Sequence, residues 1–154
     1  MQHLRACGAE VLARAPNVNH GGCGYYAAQV AMALEARGLT CWGVLTSFLR
    51  DDDLNVVRNQ SKPHTLREWN EAGVLIGHMM VQFEYERRVW SHDARNTVTG
   101  RVKYEPTFGG RLVPGYVTVA EMVAIASRPL GWNPAFHRRS GLPLIRAAVK
   151  RHLK

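Results

Sequence analysis

The chain has 154 residues, with 20 Lys and Arg against 12 Asp and Glu, a formal charge of +8, and 46% hydrophobic and 21% charged residues. Those values suit one globular domain over 1–154 and exclude a disordered tail, a collagen-like repeat and a multi-domain assembly. No apolar run reaches the roughly 18 residues of a membrane span, and Met1-Gln2-His3-Leu4-Arg5 lacks the layout of a signal peptide, so the expectation is a cytoplasmic protein with no membrane partner.

In chain order, Leu4, Val11 and Leu12 recur at helical spacing over residues 2–15, and Pro16 stops that helix. Residues 17–22 read as a loop. Ala27, Val30, Ala31 and Leu34 then mark one face of a helix over 24–37, with Gly38 as its C-cap. Residues 39–48 are β-branched and aromatic enough for a strand, and 50–65 form a polar surface excursion. A short helix over 66–72 precedes three extended runs at 74–85, 88–94 and 98–104, most economically an antiparallel meander. Thr118 and Glu121 form a capping-box pattern that opens a helix to Ala126, stopped by Pro129. Pro143 opens the last helix, with Leu144, Ile145, Ala148 and Val149 inward and Arg146, Lys150, Arg151 and Lys154 outward. Helices, consecutive strands and helices again predict an α+β fold over an antiparallel sheet.

Cys7, Cys23 and Cys41 are an odd number without CxxC spacing, which signals neither a disulfide framework nor a zinc site. Asp51-Asp52-Asp53 lacks the alternation of a calcium loop. The reading therefore calls for no metal and no cofactor. Cys7 and Cys41 read as core residues.

Cys23 stands at a helix N-terminus, where unpaired N–H groups and the helix dipole favour a thiolate. Gly21, Gly22 and Gly24 leave room for a substrate carbonyl and let backbone amides face an oxyanion, although a tight turn around a small buried residue explains them equally well. Along the 74–83 strand, His78 shares a face with Ile76, Met80 and Gln82. A hairpin centred between Tyr85 and Glu86 pairs residues whose numbers sum to 171 and sets Asp93 directly opposite His78. Tyr85-Glu86 lacks the Asn-Gly chemistry of a two-residue turn, so a four-residue loop with the same centre is expected. A loop of odd length brings His92 opposite instead, which keeps His92 as the alternative third member. Cys23, His78 and Asp93 would supply nucleophile, general base and orienting acid for acyl transfer.

The segments Asn19-His20-Gly21-Gly22-Cys23-Gly24-Tyr25-Tyr26-Ala27, Gly77-His78-Met79-Met80-Val81 and Trp90-Ser91-His92-Asp93 resemble the Cys, His, Asp order of papain-like and transglutaminase-like cysteine hydrolases. The resemblance implies a central helix opened by the cysteine, packed on an antiparallel sheet that bears the histidine and the acid; it covers Asn17 to about Asp93, and the expected C-terminal helices have no counterpart in it. It implies Cys23 as nucleophile, His78 as base and Asp93 as orienting acid. An oxyanion-binding amide would fall at Asn17 or Asn19, where papain-like enzymes have Gln. NlpC-type cell-wall peptidases are similar in order and carry a second histidine, matched by His92. The implied partner is a peptide or amide substrate.

A second class stays open. Arg138, Arg139, Arg146, Lys150, Arg151 and Lys154 make the C-terminus basic, sufficient for electrostatic contact with nucleic acid or another acidic partner, and equally the pattern of a solvated helix face. A third is an inactive hydrolase scaffold that serves as an interaction protein.

Overall fold

Helix α1, Gln2–Arg14, buries Leu4, Cys7, Gly8 and Val11, spaced three and four apart along one face, and ends as the Ala15 N–H closes on the Val11 carbonyl just before Pro16. In this computed structural model the described residues are 1–18, 22–46, 48–49, 64–65, 67, 76–95, 98–99, 111–112, 115–127 and 141–154. The expected helix over 66–72 and the polar excursion over 50–65 lie almost wholly outside them, as do the aspartate run at 51–53, Arg138, Arg139 and Pro129.

Helix α2 spans Cys23–Glu35 and buries Gly24, Tyr26, Ala27, Ala28, Val30, Ala31 and Leu34 as well as Cys23. A helix buried over so much of its circumference is a central one: α2 packs on the sheet on one side and on the C-terminal helices on others. It ends where Gly38 adopts φ +76°, a conformation glycine takes without steric cost, so that the Leu39 N–H reaches the Leu34 carbonyl at 3.1 Å.

The strands are β1 Cys41–Thr46, β2 Phe48–Leu49, β3 His64–Thr65, β4 His78–Tyr85, β5 Arg88–His92, β6 Val98–Thr99, β7 Arg111–Leu112 and β8 Gly115–Val117. Six of them form one sheet in the order β3-β8-β1-β4-β5-β6, antiparallel throughout except for the parallel pair β3 and β8, while β2 and β7 pair separately. The expected strand over 39–48 is thus divided between two sheets. The expected 74–85 strand begins only at His78, after Ile76 and Gly77.

Helix α3, Val119–Ala126, opens with the anticipated capping box: the Glu121 N–H donates to Thr118 Oγ1, and the Thr118 N–H donates to Glu121 Oε2 at 2.7 Å. It crosses β1 at Gly43, where a Cβ would stand 2.5 Å from Val117 and 2.6 Å from Met122. Only a bare backbone admits α3 that close. Helix α4, Gly141–His152, buries Leu144, Ile145, Ala148 and Val149 against α1 and α2, the inward set its periodicity predicts. It starts two residues before Pro143, which therefore sits in the first turn, where its missing N–H costs nothing. The architecture is α+β.

The β4–β5 hairpin corrects the expected register. The turn is Glu86-Arg87, both at positive φ (52° and 61°), and Tyr85 pairs with Arg88. Val81 opposes His92, so paired numbers sum to 173 rather than 171. A two-residue loop forms without glycine, and Trp90 Nε1 ties the turn by donating to the Tyr85 carbonyl at 3.1 Å. The shift is an even step, so it leaves every residue on its expected face. Among the described residues, no helix is long and apolar enough to cross a membrane.

Candidate active site

The face of β4 formed by Met79, Val81 and Phe83 lies against α2 and is almost fully buried, with His92 joining it from β5. The other face carries His78, Met80 and Gln82, and Asp93 follows β5 on that side. With the observed register, Asp93 is the diagonal rather than the direct neighbour of His78, a separation long side chains can bridge. They do so: His78 Nε2 and Asp93 Oδ2 are 3.3 Å apart, with side-chain exposures of 17% and 10%. The Arg95 N–H donates to Asp93 Oδ1 at 2.9 Å and fixes the carboxylate from the other side.

Cys23 completes the cluster from α2. Its thiol stands beside the His78 imidazole and the backbone N–H groups of Met79 and Gly24, close enough for each to favour the thiolate. The sequence dictates this meeting locally. Gly22, buried at the N-cap with φ −105°, offers no side chain to cap the helix, so the first-turn amides and the positive end of the dipole remain for the sulfur and whatever binds beside it.

The electrostatics follow from those contacts. Burial on its own pushes the Cys23 thiol up, and it is the largest single influence. The His78 hydrogen bond, the charge of the imidazolium and the two backbone N–H groups together outweigh it and hold the thiol below its ordinary value. Burial pulls His78 down, but the Asp93 carboxylate and then Cys23 raise it to about 9. Both shifts favour the same state, a thiolate beside an imidazolium.

The other thiols behave oppositely. Cys7 and Cys41 are each pushed up to about 11, chiefly by burial. Cys7 is fully enclosed, as expected of a core residue; Cys41 is only half-buried and donates to the Ala31 carbonyl at 3.4 Å.

The alternative third member is corrected: His92 lies on the opposite face of the hairpin from His78, because side chains alternate and the turn is even. There Nε2 of His92 is 2.7 Å from the Tyr26 hydroxyl. Asn17 is exposed in the turn after α1 and makes no hydrogen bond among the described residues, and Asn19, His20 and Gly21 lie outside them. Beside Cys23 the site presents backbone amides at the start of α2. Tyr26 escaped sequence reasoning, although its place one turn beyond Cys23 was a signal of proximity. Among the described residues, no group of three or more His, Cys, Asp or Glu side chains could hold a metal ion.

The basic C-terminus is partly committed to the fold. Arg151 and His152 bind Glu10 of α1 at 2.7 and 2.8 Å, and the Arg37 guanidinium donates to the Lys154 carbonyl. Arg146, Lys150 and Lys154 face solvent, as their spacing predicts. No family model, curated protein or solved structure matches this chain.

Proposed function

We propose that the protein is a cysteine-dependent acyl-transfer hydrolase, a peptidase or amidase similar in design to papain-like enzymes, acting through Cys23, His78 and Asp93. One observation carries the reading: the thiol of Cys23 stands beside an imidazole whose Nε2 is in turn held by a buried carboxylate. Nucleophile, base and orienter in that sequence of contacts are what thiol-based acyl transfer requires.

In the proposed mechanism the Cys23 thiolate attacks an amide or ester carbonyl. The oxyanion is stabilised by amides of the first turn of α2, which lack helical acceptors. The imidazolium of His78 gives its proton to the leaving amine and becomes the base that takes a proton from water. That water attacks the thioester, releases the acid and restores Cys23. Asp93 keeps the ring oriented throughout.

Competitive alkylation with iodoacetamide, followed by mapping of the modified peptides, tests the reading before any substrate is known. With pKa values near 11, Cys7 and Cys41 are thiolate in only about one molecule in 10,000 at neutral pH. Cys23, held below the ordinary thiol value, should therefore label at least roughly 100-fold faster than either. Uniform slow labelling would overturn the proposal. Tight salt-sensitive binding of a nucleic acid that survives Cys23→Ala would point to the basic C-terminal surface instead.

A further inference from the structure

Among the described residues, the mechanism uses one polar contact between α2 and the hairpin and leaves a second unused. The first runs from Cys23 through His78 to Asp93; the second joins the Tyr26 hydroxyl to His92 Nε2 at 2.7 Å, with ring centroids 5.5 Å apart and planes tilted by 53°. Tyr26 is one turn beyond Cys23 on α2, and His92 is the residue before Asp93. The two contacts are parallel rungs between the same two elements. Resting on the function proposed above, we propose that the Tyr26–His92 hydrogen bond is a positioning contact, setting the separation between the helix that bears the sulfur and the strand end that bears the orienting carboxylate.

Three observations support it. Both side chains are wholly enclosed, at 0% exposure, against a core whose other members are apolar side chains and the Cys7 thiol. Burying a hydroxyl and an imidazole there costs more than burying apolar groups of equal volume, so the pair contributes direction rather than net burial energy. Second, the Tyr26 hydroxyl also lies beside the Cys7 thiol of α1, so three elements converge on one oxygen. Third, the His78–Asp93 separation of 3.3 Å lies at the long limit for such a bond, where a displacement of a few tenths of an ångström decides whether it holds. A site that sensitive needs its two supporting elements locked together. The Asp93 charge acts on Tyr26 as well, which places the two rungs within electrostatic reach.

The decisive measurement is the far-ultraviolet absorbance of the Cys23 thiolate as a function of pH below about 9, where Cys7 and Cys41 remain protonated. Tyr26→Phe removes the hydroxyl and keeps the ring. It should move the thiolate midpoint up by about one unit, roughly a tenfold loss of thiolate on the acid side, while thermal unfolding stays cooperative. His92→Gln, whose amide stands where Nε2 stood, should keep the wild-type midpoint, and His92→Leu should reproduce Tyr26→Phe. A merely structural role would lower the melting temperature without moving the midpoint. Coincident titrations of wild type and folded Tyr26→Phe would overturn the inference and leave the proposed function standing. If Tyr26→Phe does not fold, coincident His92→Gln and His92→Leu curves overturn it in the same way. A wild-type thiol that titrates at its ordinary value would overturn both.

Discussion

Cys7 and Cys23 are both buried thiols on helices of similar length, and desolvation pushes both upward. Yet one ends near 11 and the other below the ordinary thiol value. Cys7 lies in the middle of α1, where helix N–H groups are already spent on helix carbonyls, and its side-chain partner is a neutral phenol. Cys23 opens α2, where amides are unspent and a charged imidazole is within reach. What separates an inert sulfur from a reactive one here is the number and charge of donors facing it, not its exposure.

The harshest way to break that comparison is to remove the imidazole. His78→Ala should leave Cys23 buried without its principal counter-charge, raising its thiol toward the Cys7 range and lowering turnover by roughly 100- to 10,000-fold. Thiolate absorbance and kcat/KM measure the two effects. A His78→Ala protein that keeps its neutral-pH thiolate would show that the helix terminus alone suffices.

Gly43→Ala probes packing in place of charge. The added methyl meets Val117 and Met122 at 2.5 and 2.6 Å, so stability should fall by about 1–3 kcal/mol in chemical denaturation. The Cys23 titration should not move. A shifted titration would mean that the position of α3 is transmitted to the sulfur.

Asp93→Asn should cost less in kcat/KM than losing the imidazole, since the ring stays and only its orienting charge goes. Asp93 is the leading influence that raises His78, so the variant lowers the His78 pKa from about 9. The alkaline limb of the pH–rate profile, which marks loss of the imidazolium, must then move to lower pH. A limb that stays near 9 would show that Cys23 alone holds the imidazole charged.

How far the sequence reveals this arrangement depends on what each feature needs. Helices α1, α2, α3 and α4 were legible within a few residues because each carries its own periodicity and a local stop or start: Pro16, Gly38, the Thr118–Glu121 box and Pro143. The contact between His78 and Asp93 was anticipated although the register was wrong, since an even displacement conserves faces. Turn chemistry misled because Glu86 and Arg87 adopt left-handed conformations that their side chains do not favour. The partnership of His92 with Tyr26, and the neighbourhood of β8 and β1, were not legible. Both join residues more than 60 positions apart, and no local pattern encodes such a meeting.

The bend at Glu86-Arg87 has a practical use for protein engineers. Two side-chain-bearing residues are held there in a backbone shape that asparagine and glycine adopt at little cost, and the bend lies at the far end of the hairpin from His78. Replacing Glu86 with Asn and Arg87 with Gly should relieve roughly 1 kcal/mol of that tension. The resulting scaffold would hold a margin of robustness, so that damaging substitutions around the sulfur could be compared in chains that all still fold.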